Sequence, residues 1–185
     1  RQAFPTEQTP ALDAKEVSSS NATQKAWALA TSAVLTERNG GRHDILGGVA
    51  PTEENISKVK QVLTEWWGIS SRNELLHTLE RIEVGGHREG FERAGVIISS
   101  LGSIQYEALL TKTQGNEEAY NQVVTVKTYY KKLGTKGILG WDFSRYISLC
   151  RWGYVAGYLT EEEAWVRIMP VARKLQQNFD SWKEL

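Results

Sequence analysis

A single cysteine, Cys150, is all the thiol the 185-residue chain carries. No internal disulfide can form, and a zinc site built on several cysteines is ruled out. The three histidines, His43, His77 and His87, never fall into the H-E-x-x-H spacing of a helical zinc site. No metal is therefore expected. Charge of one sign is not in excess: Lys plus Arg and Asp plus Glu number 22 each, so the net charge is zero. Nucleic-acid and membrane-surface binders usually carry a basic surplus, so neither role is expected, although a local basic pocket remains allowed. No apolar run approaches the roughly 20 residues of a membrane-spanning helix. Alternating strands, hairpin signals and a fixed-period repeat are all missing. So is a phosphate loop with its lysine, and no cofactor is expected.

What is present is helical periodicity in a chain long enough to bury a core of its own. Residues 1–21 are polar, with Pro5, Pro10 and a Ser18-Ser19-Ser20 run, and read as a flexible arm. Residues 22–185 then read as one all-α domain of about seven or eight helices, without significant sheet. The first helix spans about 22–38 and stops at Asn39-Gly40-Gly41. Thr52 caps the second, which ends at Gly68, and Ser71 with Glu74 forms a capping box for the third. Gly85-Gly86 breaks that helix, and further helices follow over about 87–101, 104–110 and 117–133. Asp142 reads as the N-cap of a helix running to about Ala156, with Gly157 as its stop. Thr160 and Glu163 make another capping box, opening a helix that carries Pro170 and is expected to kink there. Ser181 and Glu184 repeat the pattern at the end of the chain.

Several of these segments resemble a known family. Glu65-Trp66-Trp67-Gly68-Ile69, then Arg72, Leu75, Leu76 and Gly86-His87-Arg88, look like the opening of the bacterial domain-of-unknown-function 1266 family. Trp141-Asp142, Arg145, Arg151-Trp152-Gly153-Tyr154, Gly157-Tyr158 and Glu162-Glu163-Ala164-Trp165 resemble its central signature. Arg173, Gln176, Gln177, Phe179 and Ser181-Trp182 resemble its distal part. The likeness covers about residues 26–185. It implies a bacterial protein and no catalytic assignment. Members of the family usually continue into a glycine- and aromatic-containing tail, so the resemblance implies either that the chain is trimmed after Leu185 or that this member lost the tail.

The richest stretch is Trp141 to Trp165, where two arginines stand among three tryptophans. At helical spacing Trp141, Arg145, Ser148 and Trp152 share one stripe, and Arg151 lies on a neighbouring face. The ordinary reading of such arginines is a structural stack on indole faces, each paired to a carboxylate. The sharper reading is a pocket for a small carboxylate or phosphate, lined by His87, Arg88, Arg145, Arg151, Trp141 and Trp152. Gly85-Gly86-His87-Arg88 at a helix start could add backbone N–H groups to it. Trp66, Trp67, Asp142, Glu163, Trp165 and Trp182 read as structural or interface residues, with Trp66 and Trp67 unable to face the same core. Cys150 reads as a small buried side chain.

No triad order or metal spacing is visible, so the favoured function is a non-catalytic binding or protein-interaction module. The alternative is an enzyme acting on a small anionic substrate, with the arginines stabilising charge and His87 or a glutamate moving protons. The partner is accordingly an unidentified protein or a small anionic ligand. A soluble, cytoplasmic protein is favoured, with export after signal cleavage as the alternative because the chain opens on Arg1. The capping assignments are open to measurement. Ser71→Ala and Thr160→Ala should each lower unfolding free energy by about 1 kcal/mol in denaturant titrations, and unchanged midpoints would contradict these helix starts.

Overall fold

A computed structural model of the chain describes residues 14–185, with side chains from Ser20 onward. The first part of the arm expected over 1–21 lies outside the described residues. The architecture is all-α, with nine α-helices and no strand among the described residues. They are α1 (Ala14–Ala30), α2 (Ala33–Arg38), α3 (Glu53–Trp67), α4 (Arg72–Val84), α5 (Arg88–Ser100), α6 (Ser103–Thr113), α7 (Glu117–Leu133), α8 (Leu139–Val155) and α9 (Glu161–Asn178), with a 3-10 turn at Gly134–Lys136.

The helix expected over 22–38 differs in two ways. It begins upstream, at Ala14, because Ala14, Lys15 and Glu16 are strong helix formers and no proline lies between Pro10 and the end of α1. It also breaks between α1 and α2. Thr31 donates its hydroxyl to the Ala28 carbonyl at 2.7 Å, and Ser32 donates to Leu29 at 2.9 Å. Hydroxyls that bond the preceding turn compete with the helical ladder, and here they turn the chain.

Elsewhere the helix ends follow their capping chemistry. The Thr52 hydroxyl accepts from the Asn55 amide, and Gly68 closes α3 in the left-handed conformation at φ 66°. Asn116 caps α7 by accepting from the Ala119 amide at 3.0 Å. Thr160 and Glu163 form the full reciprocal box expected of them. The Ser71 box is altered: Ser71 does accept from the Glu74 amide, but the Glu74 carboxylate reaches back to the amide and hydroxyl of Ser70, both at 2.7 Å. The β-branched run in α7 does not weaken that helix, since Val123 and Val126 are buried and packing outweighs propensity. Helix α9 runs through Pro170 as one element, with the residue on its exposed face.

Helix α8 occupies the centre. Buried residues lie all round it, from Phe143 and Tyr146 to Leu149, Cys150 and Val155, which marks a helix enclosed by others. It packs against α2, α3, α4 and α9. Gly153 lets α4 come close, since a Cβ there would stand 2.4 Å from Leu75 Cδ2. Leu75, Leu79 and Ile82 of α4 are buried against it, each contributing about 1.5–3 kcal/mol. Helices α5, α6 and α7 gather around a second, smaller core of Phe91, Ile98, Val123 and Val126. There α5 meets α7 so closely that a Cβ at Gly95 would strike the Tyr130 ring at 2.0 Å.

The N-termini of α4 and α9 are clamped to each other. Arg72 donates to both Glu163 carboxylate oxygens, at 2.9 and 2.6 Å, and to the Tyr158 carbonyl at 2.7 Å. The Arg72 hydrogen bond and the Thr160 amide pull the Glu163 carboxyl from its ordinary 4.5 down to about 2. A depressed carboxylate supports folding fully above its unfolded pKa and loses that support as pH falls through the folded one. The melting temperature should therefore drop as pH is lowered from about 4.5 to about 2, and Glu163→Gln should flatten that part of the profile. Parallel profiles for the two proteins would contradict the clamp.

Candidate functional site

The corner between α4 and α5 is held by a side chain from α8. Asp142 is not the cap of its own helix, which starts three residues earlier at Leu139. Its carboxylate is fully buried and accepts the amides of His87 at 3.0 Å and Arg88 at 2.9 Å. It therefore caps α5 across the fold, where His87 itself offers no side-chain cap. Gly86 makes this approach workable in two ways. Its φ is 57°, and a Cβ on it would stand 2.3 Å from Asp142 Oδ2.

Three cations surround this carboxylate and its neighbourhood. Arg88 donates to Asp142 at 3.2 Å and to the Ile82 and Glu83 carbonyls, so it also closes the C-terminal turn of α4. Arg145 places one guanidinium nitrogen 3.9 Å from Asp142, beyond hydrogen-bond range. Its guanidinium lies 4.6 Å from the Trp67 ring centre and 5.9 Å from that of Trp141. The sequence places Trp141 and Trp152 on the Arg145 face; in the structure Trp67 of α3, half-buried while Trp66 is 80% exposed, stands where Trp152 was expected. The side chain of Arg145 is only 15% exposed, yet no hydrogen bond from it is made among the described residues, and its Nη1 is fully buried. Burial lowers its pKa first, Asp142 opposes that and Arg81 adds to it.

Arg145 lines a cleft of about 690 Å³ together with Trp67, Arg81, Gly86 and His87. Glu80 and Glu89 also border it, and Glu89 is paired with Arg93 at 2.6 Å. His87 sits below its ordinary pKa, chiefly through desolvation, then through Arg145, with Asp142 opposing and Arg81 assisting. It is thus neutral near pH 7 and can accept or donate a hydrogen bond.

The other arginine of the stretch is placed differently. Arg151 is 3% exposed and uses all its donors within the protein. It donates to the Leu46, Arg42 and Ile45 carbonyls at 2.7, 2.9 and 3.2 Å, to Ser32 Oγ at 2.9 Å and to Thr36 Oγ1. No carboxylate pairs with it among the described residues, contrary to the expected ion pair. Its charge is solvated by carbonyls of the 42–46 loop, which it organises, and burial draws its pKa down to about 10. The α1–α2 break supplies one of its hydroxyl partners, Ser32, and α2 the other, Thr36.

The six residues expected to line one anion pocket thus separate. His87 and Arg145 share the cleft, with Trp141 stacked behind Arg145. Arg88 is turned onto backbone carbonyls. Arg151 and Trp152 border a second cavity beside α3. The cleft also gains Arg81, which the sequence reading passed over because it looks like an ordinary last-turn cation of α4. Among the structural candidates, Trp165 is half-buried under Lys25, and Trp182 lies 5.4 Å from the Trp27 ring while 55% exposed. Cys150 is buried as expected, with its thiol pKa pushed up by desolvation.

The family model described as a protein of unknown function (DUF1266) matches residues 62–185. The chain belongs to this family. A curated relative, the uncharacterised protein YbeR of Escherichia coli strain K12, is 32% identical over 126 residues, 66% of this chain and 51% of YbeR. The chain spans about half the length of that relative. No solved structure matches it. The Arg145 cleft, from Trp66 to Arg145, lies entirely inside the family match, as do Gly86 and Asp142. No helix among the described residues is long and apolar enough to cross a membrane.

The Asp142 geometry generates a direct test. Removing the buried carboxylate leaves two amides without an acceptor and the Arg88 charge without its counter-ion, so Asp142→Ala should lower unfolding free energy by about 3–5 kcal/mol. A loss under about 1 kcal/mol in denaturant titration would mean that water replaces it freely.

Proposed function

We propose that this domain is a binding module for a small anion, a carboxylate or a phosphate, gripped by Arg145 in the cleft between the α4–α5 corner and α8. The observation that supports the reading is the contrast between two buried arginines on one helix. Arg151 donates to five oxygens of the protein, whereas Arg145 donates to none among the described residues. A guanidinium held by indole faces is oriented but not hydrogen-bonded, and its planar fork suits a carboxylate or phosphate oxygen pair. Asp142 is already committed to the α5 amides and Arg88, so it compensates Arg145 only in part. Arg81 adds a second positive charge at the cleft, and neutral His87 adds a hydrogen-bonding group. The binding reading is preferred over catalysis because the cleft residues include no nucleophile held by a base.

Thermal unfolding measured against phosphate, sugar phosphates and small aliphatic carboxylic acids, which lack a ring for the Trp152 cavity, checks this. A ligand at a hundred times its Kd should stabilise the protein by about 2.7 kcal/mol. The shift should vanish in Arg145→Gln and persist in a control such as His77→Ala, which alters an exposed cleft-edge residue. No shift with any of these anions, or an equal shift in Arg145→Gln, would contradict the proposal.

A further inference from the structure

A second cavity, independent of the Arg145 cleft, opens on the opposite end of the same α8 stripe. It measures about 180 Å³ and lies between α3, α8 and the glycine-rich loop after α2. Val49, Val59, Val62 and Trp152 form apolar walls, with Ser148 and Arg151 also on its lining. A cavity of about 150 Å³ accommodates benzene, so this one takes a ring with a small substituent.

The polar groups here are not equivalent. Asn39 and Asn55 give their amide nitrogens to the Leu35 and Ala50 carbonyls at 2.7 and 2.9 Å. Lys58 is paired with Glu54 at 2.6 Å. Arg151 has used its donors on the loop and on Ser32 and Thr36. Ser148 alone of these is unpartnered: it is 3% exposed and its hydroxyl has no hydrogen-bond partner. A serine inside a helix ordinarily bonds the carbonyl three or four residues back, as Ser99, Ser100, Thr111 and Thr113 do in this protein. Ser148 does not, although an unsatisfied buried hydroxyl is costly. One turn along, at i+3, stands the buried charge of Arg151, which no carboxylate balances among the described residues.

We infer that this cavity is a binding site for a small aromatic carboxylic acid, whose ring packs on Trp152 and the valines while its carboxylate accepts from Ser148 beside the Arg151 charge. A phosphate is disfavoured, since the walls are largely apolar and one neutral hydroxyl is the free donor. The loop glycines are part of the site. A Cβ at Gly47 would meet Val155 Cγ2 at 2.4 Å, and one at Gly48 would stand 3.4 Å from an Arg151 nitrogen. Much of the lining, from Thr36 to Val59, precedes the segment matched by the family model, so the site joins that segment to the family's helices.

The probes are benzoate and benzyl alcohol, titrated into wild type, Ser148→Ala and Arg145→Gln while the Trp152 indole N–H and the Gly47 and Gly48 amides are followed by NMR. Benzoate should bind saturably to wild type, about tenfold more weakly to Ser148→Ala, and unchanged to Arg145→Gln. Benzyl alcohol should bind more weakly than benzoate. Without ligand, Ser148→Ala should melt at the same temperature as wild type or higher, because it removes an unpaired hydroxyl. Absence of saturable benzoate binding, equal binding to Ser148→Ala, or a lower melting temperature for that variant would each overturn the inference. Benzoate binding lost only in Arg145→Gln would overturn it too, while leaving the Arg145 cleft as the anion site.

Discussion

The fold turns on one buried carboxylate. Asp142 sits in the first turns of the central helix, yet its oxygens serve the start of a different helix by taking the His87 and Arg88 amides. A helix start buried without such a partner would leave donors unsatisfied, at a cost comparable to the net gain of several hydrogen bonds. The arrangement also dictates its surroundings. Gly86 must lack a Cβ, Arg88 must fold back to balance the charge, and Arg145 must stop short of a bond. The start of α5 is thereby joined to the central helix through polar contacts.

The two arginines of α8 show how similar sequence settings reach different ends. Arg151 is enclosed by a loop whose carbonyls turn inward around it, so its role is to shape the 42–46 segment without any counter-ion. Arg145, six residues earlier, meets indole faces and a carboxylate already in use. Stacking fixes its plane without satisfying its donors. That difference, and not the number of arginines, distinguishes a structural cation from one that can hold a ligand. Trp67 lies between the two regions, stacked on Arg145 and edge-on to Trp152 with ring centres 6.4 Å apart.

Much of this was legible in the sequence. The all-α class, the Thr52, Ser71 and Thr160 caps, the Gly68 stop and the inward faces of α4 and α9 follow from local rules that need no partner. The family likeness rested on tryptophan, glycine and arginine positions that fall within residues 62–185. What escaped was anything set by contacts distant in sequence. Asp142 looked like a local cap because nothing in the chain says that His87, 55 residues away, would supply the amide it accepts. Arg151 looked as if it needed a carboxylate because the carbonyls that solvate it belong to a loop about 105 residues upstream. The break after Ala30 was written in Thr31 and Ser32, whose hydroxyls can bond the preceding turn, and could have been foreseen.

Native-state hydrogen exchange at two amides reports whether Asp142 caps α5 across the fold. Amides in the first turn of a helix lack intrahelical acceptors and ordinarily exchange through local fluctuations. Held by Asp142, the His87 and Arg88 amides should exchange as slowly as those of the buried core, and Asp142→Asn should accelerate both while sparing the first-turn amides of α9. Rapid exchange of these two amides in the wild-type protein would contradict it.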